Sequence, residues 1–166
     1  MQPISTFIND SFSQDIRNTY ALTIRADGHV IVNSHKISPW STGAVPTLPR
    51  LNRCLDRTVI ELTQPKQFRS TKFVAFLGGD RDRNVAPHFH AFIELPSDCN
   101  AADFFERFEV RFRSKVSASF DTHSLRCSVF AEPLQNKIRF SEYSSRNEGQ
   151  SLDRDLKPVM SKSMRV

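Results

Sequence analysis

Pro87-His-Phe-His-Ala-Phe-Ile-Glu-Leu95 alternates with a period of two, the pattern of a β-strand whose faces meet different surroundings. Phe89, Ala91, Ile93 and Leu95 make one face uniformly apolar, suited to contact with helices. His88, His90, Phe92 and Glu94 make the other. Just before it, Lys72-Phe-Val-Ala-Phe-Leu77 is a second apolar run that ends in Gly78-Gly79. The polar connection from Asp80 to Ala86 is short enough for the two to pair as an antiparallel hairpin with a long loop.

Outward from this hairpin, strands and helices alternate irregularly. Tyr20-Ala-Leu-Thr-Ile-Arg25 is rich in strand formers and precedes an Ala-Asp-Gly turn signal, and His29 to Asn33 reads as a further, weaker strand. Residues 36 to 46 hold Pro, Ser, Gly and Trp40 and read as a loop. Leu48, Leu51, Leu55, Val59 and Leu62 recur at three- and four-residue steps and predict a helix, with Thr47 as N-cap and Pro65 as its stop. Phe104, Phe105, Phe108 and Phe112 predict a second helix, capped by Asp98 or Asn100. A strand follows over Ser124 to Phe130, and an amphipathic helix over Asn136 to about Glu148.

The expected fold is therefore α+β, a central antiparallel sheet with helices packed mainly on one face. The expected layout is a loosely held lead-in over residues 1–17, one domain over 18–149, and a mobile tail over 150–166 with mixed charge and no apolar period.

Composition narrows the function. The formal net charge is +5, from 23 Lys and Arg against 18 Asp and Glu, which favours a polyanionic partner. Fourteen Phe against one Trp and two Tyr give the core to Phe and make each Tyr conspicuous. Cys54, Cys99 and Cys127 are odd in number and far apart, which argues against a disulfide framework or a structural zinc site. No secretory signal and no stretch of roughly 20 apolar residues is present, so a cytoplasmic protein is expected.

Two places carry chemistry. Strand rise separates the His88 and His90 side chains by roughly 7 Å along one face, close enough for both to reach one metal ion, and imidazole suits first-row divalent ions. Two hydrogen-bonded histidines on a half-exposed strand are the plainer alternative. In the predicted last helix, Arg139, Tyr143 and Arg146 fall at i, i+4 and i+7, setting a phenol between two guanidinium groups. Such a tyrosine either packs at the rim of the core or acts as a nucleophile favoured by nearby positive charge.

Together these segments resemble the HUH endonucleases, in particular the replication initiators of rolling-circle plasmids, phages and small DNA viruses. The motifs that carry the resemblance occur here in the family's order: Ala21-Leu22-Thr23-Ile24, then His88-Phe89-His90, then Tyr143-Ser-Ser-Arg146. The resemblance spans residue 20 to about 148. It implies a sheet distantly like that of an RNA-recognition fold, and a divalent metal (Mg or Mn) held by His88, His90 and a third polar residue. Asp80 is the first candidate for that residue and Glu94 the alternative. It also implies Tyr143 as the catalytic nucleophile assisted by Arg146, and contacts to DNA from Thr23, Arg25 and Arg139.

The implied reaction is site-specific nicking and joining of single-stranded DNA, with an origin hairpin as substrate, through a 5′-phosphotyrosine intermediate. No Gly-x-x-x-x-Gly-Lys-Ser/Thr loop is present, so unwinding falls to a partner such as a host helicase. One departure is clear: Arg146 stands where the family has Lys, keeping charge but not the ability to shuttle a proton.

Two other readings compete. A non-catalytic single-stranded nucleic-acid-binding module with an RNA-recognition-like sheet accounts for charge and Phe content. A cupin-like metal enzyme accounts for His88-x-His90-x-x-x-Glu94, but the predicted helices and only five Gly oppose an all-β barrel.

Overall fold

The computed structural model describes residues 4–27, 30–32, 35–37, 47–80, 85–120, 126–135 and 158–165. In chain order these form α1 (Ile4–Ser11), β1 (Thr19–Asp27), β2 (Val30–Val32), β3 (His35–Ile37), α2 (Thr47–Thr63), β4 (Lys72–Asp80), β5 (Val85–Glu94), α3 (Ala101–Phe120), β6 (Arg126–Pro133) and β7 (Val159–Met160). Short 3-10 turns occupy Lys66–Phe68 and Lys162–Met164.

The hairpin expected from the sequence forms the middle of the molecule. β4 and β5 pair antiparallel, Ala75 opposite Ala91 and Gly78 opposite His88, with a register shift between Gly78 and Asp80. β1 lies on the other side of β5, and β6 beyond β1, giving a five-stranded sheet in the order β6-β1-β5-β4-β7 with antiparallel pairing throughout. The fold class is thus α+β, as the alternation of patterns predicts. β2 and β3 form a separate two-stranded ribbon. Its second strand takes in His35–Ile37, which extends into the stretch read as loop from residue 36.

One face of the sheet is closed by α2 and α3. Phe104, Phe108, Phe112 and Val116 follow one another at four-residue steps along α3 and are almost fully buried. They meet Leu22, Ile24, Phe73, Phe89 and Ile93, with Leu51, Leu55 and Val59 of α2 completing the layer. Ala75 and Ala91, facing each other at the sheet's centre, leave room for these rings. Each fully buried Phe contributes about 1.5–3 kcal/mol by leaving water. Asn100 starts α3 as its side-chain Oδ1 accepts from the Asp103 backbone N–H at 3.1 Å. Cys54 and Cys127 belong to this core, and burial pushes the Cys54 thiol up, away from thiolate chemistry.

Two expectations for the chain ends are corrected. Residues 1–17 contain α1, which docks on the opposite face with Ile8 fully buried and Phe12 nearly so. They meet Ala21, Val74, Phe76, Phe92, Leu134 and Met164, with the Phe12 and Phe92 rings 5.9 Å apart. An eight-residue helix cannot hold itself in water, so packing of Ile8 and Phe12 stabilises it. In the segment expected as a mobile tail, Val159–Met160 pairs with β4. Ser161 Oγ accepts from the Phe73 backbone N–H at 3.0 Å, Ser163 Oγ donates to the Thr71 carbonyl at 2.6 Å, and Arg165 ion-pairs with Asp56.

Candidate functional site

Among the described residues α1 covers only part of its face of the sheet, and Thr23, Arg25, His88, Ser128 and Phe130 keep partial or full exposure there. Directly opposed residues in an antiparallel pair share a face. The register therefore sets two rows across the strands: Phe130, Thr23, His90 and Phe76 in one, and Ser128, Arg25, His88 and Gly78 in the next. The row below, Ala21, Phe92 and Val74, is covered by α1. The two histidines sit at the boundary, His90 buried at 6% exposure and His88 half-buried.

Their rings meet edge to face, centroids 4.6 Å apart at 87°, and the two Nε2 atoms approach to 2.9 Å. One nitrogen donates and the other accepts, so a single proton lies in this contact. Burial first, then the neighbouring His88 and Arg25, push His90 down to about 4. It is therefore neutral near pH 7, the form that ligates a metal. With that proton removed, the two Nε2 atoms would be two imidazole donors side by side, a set that suits a first-row divalent ion. Among the described residues no group of three His, Cys, Asp or Glu side chains completes such a set.

Gly78 matters to this geometry. A Cβ added there would lie 3.2 Å from His88 Nε2 and 3.5 Å from His90 Cδ2, so the absence of a side chain keeps space open beside both rings. Read from sequence, Gly78 marks only the end of a strand; its register opposite His88 gives it this second role.

The structure brings together His88, His90, Thr23 and Arg25, with Thr23 directly beside His90 and Arg25 beside His88. Glu94 is not brought to the pair. It stands four residues from His90 on β5, about 13 Å by strand rise. There its Oε2 accepts from the Ser13 backbone N–H at 2.7 Å, and Lys72 Nζ lies 3.2 Å from its Oε1. Glu94 thereby fastens the end of the lead-in to the sheet. Asp80 closes β4 by pairing with Val85, just past the register shift after Gly78, and its side chain lies outside the described residues. Arg139, Tyr143 and Arg146 also lie outside the described residues, as does the helix expected around them.

Sequence reading missed Phe130. It is 64% exposed at mid-strand on β6, two strands from His90 in the same row. Its signal is an aromatic ring between Ser128 and Glu132 on a face that is otherwise polar. Two concavities of about 770 and 500 Å3 lie between α2 and α3 and include neither histidine. None of the described helices is long and apolar enough to cross a membrane.

No protein-family model and no curated protein matches the sequence. Among solved structures, the chain is similar to the N-terminal nuclease domain of the non-structural protein 1 of minute virus of mice. The likeness covers 94% of this chain and 75% of that one at 10% identity, with a TM-score of 0.35. That domain is described as coordinating Zn2+ in its active-site pocket and as recognising DNA at the origin of replication.

Proposed function

We propose that this chain is a metal-dependent nuclease of the HUH type, which nicks and rejoins single-stranded DNA at a replication origin. The observation that carries the reading is the 2.9 Å approach of two imidazole nitrogens on the open side of the sheet, with Arg25 in the same row. A sheet face that carries an exposed arginine fits an extended polyanion better than a small metabolite.

His88 and His90 would hold the divalent ion, with Asp80 as the third ligand, and the ion would supply Lewis-acid polarisation of the scissile phosphate. Thr23, Arg25 and Arg139 position the strand through its phosphates. The Tyr143 hydroxyl gives up its proton as its oxygen attacks phosphorus; the bond to the 3′ oxygen breaks, and that oxygen leaves as a 3′-hydroxyl after taking a proton. Arg146 balances charge on the phosphate. The 5′-phosphotyrosine conserves the phosphodiester energy, so a 3′-hydroxyl can later displace Tyr143 and reseal the strand.

Incubation with a diverse pool of single-stranded oligonucleotides, including hairpins, and Mn2+ yields a protein–DNA adduct on a denaturing gel. The adduct is absent with EDTA and absent from Tyr143→Phe. An adduct that survives Tyr143→Phe removes that residue from the role of nucleophile. No adduct from any substrate leaves single-strand binding without cleavage as the function of this face.

A further inference from the structure

Among the described side chains, Phe130 is the only exposed aromatic one; the other described Phe are buried or half-buried. It lies on an edge strand of the sheet, and its neighbours on that face, Ser128 and Glu132, are exposed and polar. A ring of this size left in water at mid-strand contributes nothing to the core, which lies on the other face of β6 through Cys127 and Val129. What distinguishes the position is its register. Phe130 opposes Thr23, and Thr23 opposes His90, so a straight row of about 10 Å, two strand spacings, runs from the ring to the buried imidazole. Arg25, exposed and without an ion pair among the described residues, flanks this row one step along β1.

From this juxtaposition we infer that Phe130 is a base-stacking subsite, taking one unpaired nucleobase of a strand whose backbone passes Arg25 and whose phosphate reaches His88 and His90. The inference rests on reading this face as a single-strand site, and adds to it a fixed distance between a gripped base and the phosphate at the histidines. Every nucleobase has a π-face, so the subsite selects unpaired over paired DNA rather than one base over another. A single ring is too small to anchor a protein partner, and the adjacent cation matches a phosphate backbone.

The test separates stacking from ionic binding and from chemistry. Binding of oligo(dT) is measured with EDTA present, so that neither metal nor cleavage intervenes. Loss of one stacked base in Phe130→Ala weakens binding about 5- to 150-fold, while the dependence of affinity on salt keeps its slope. Arg25→Ala lowers that slope by about 0.7 instead, as expected for one lost phosphate contact. Phe130→Tyr retains the affinity. In Phe130→Trp combined with Trp40→Phe, the single indole is quenched saturably by oligo(dT) and not by the matching duplex.

Three results overturn the inference: unchanged affinity in Phe130→Ala, no quenching at position 130, or a concentration-dependent dimer that Phe130→Ala abolishes. The last would assign the ring to pairing of β6 edges between two copies. A Tyr143-dependent adduct without quenching leaves the nuclease reading standing and removes this subsite. Quenching without an adduct does the reverse.

Discussion

The two faces of one sheet are built to opposite specifications. On the side of α2 and α3, the inward positions are apolar apart from Thr58, whose hydroxyl donates to the Cys54 carbonyl, and four α3 residues at four-residue steps fill the layer. On the other side, α1 covers the row through Phe92 and leaves the rows through His88 and His90 partly open. The same strand, β5, supplies both: Phe89, Ala91 and Ile93 to the packed face, His88 and His90 to the open one. Stability and chemistry are thus separated by the thickness of a strand, which lets the site keep a desolvated histidine without interrupting the main core.

Substitutions on the two faces should therefore separate cleanly. The largest effect belongs to the packed face: Phe108→Ala destabilises the protein by about 3–5 kcal/mol in urea unfolding, with nicking per folded molecule unchanged. Comparable loss of both would mean that the faces are coupled. A middle-sized effect comes from His90, whose folded pKa of about 4 lies below the ordinary value of 6.5. Between those values the unfolded chain binds a proton that the folded one refuses, so stability falls as pH drops from about 7 towards 4 and is flat above. The His90 share is on the order of 3 kcal/mol, read in EDTA as the difference between wild type and His90→Gln. Equal pH slopes in the two proteins would contradict a desolvated His90. The smallest effect is expected at Gly78→Ala. Its methyl crowds His88 Nε2, weakening metal uptake by up to about tenfold in a competition assay while the unfolding midpoint barely moves.

Legibility in the sequence follows the same division. The packed face was readable because period two on β5 and period near four on α3 are carried by many residues at once. His88 and His90 were readable as a pair because alternation alone fixes their common face. Thr23 and Arg25 came from a resemblance, and only the register of β1 against β5 puts them beside the histidines. α1 and β7 went unread because each is short and held by partners distant in sequence: Ile8 by Phe92 and Met164, Val159 by β4. Glu94 shows the limit of alternation, which gives a face but not a distance along it; the residue shares the histidines' face yet serves Lys72 and Ser13. Phe130 was hidden among fourteen Phe, most of which serve the core.

On the reading proposed above, His88 and His90 form a divalent-metal site on one strand, which metal titration detects directly. Calorimetric titration of the metal-free protein with Mn2+ and with Zn2+ should give one site per chain near pH 7.5. His88→Ala and His90→Ala should each abolish that site while leaving the fold intact by circular dichroism. Metal binding that persists at full strength in both variants, or no binding by the wild type to either ion, would contradict the account.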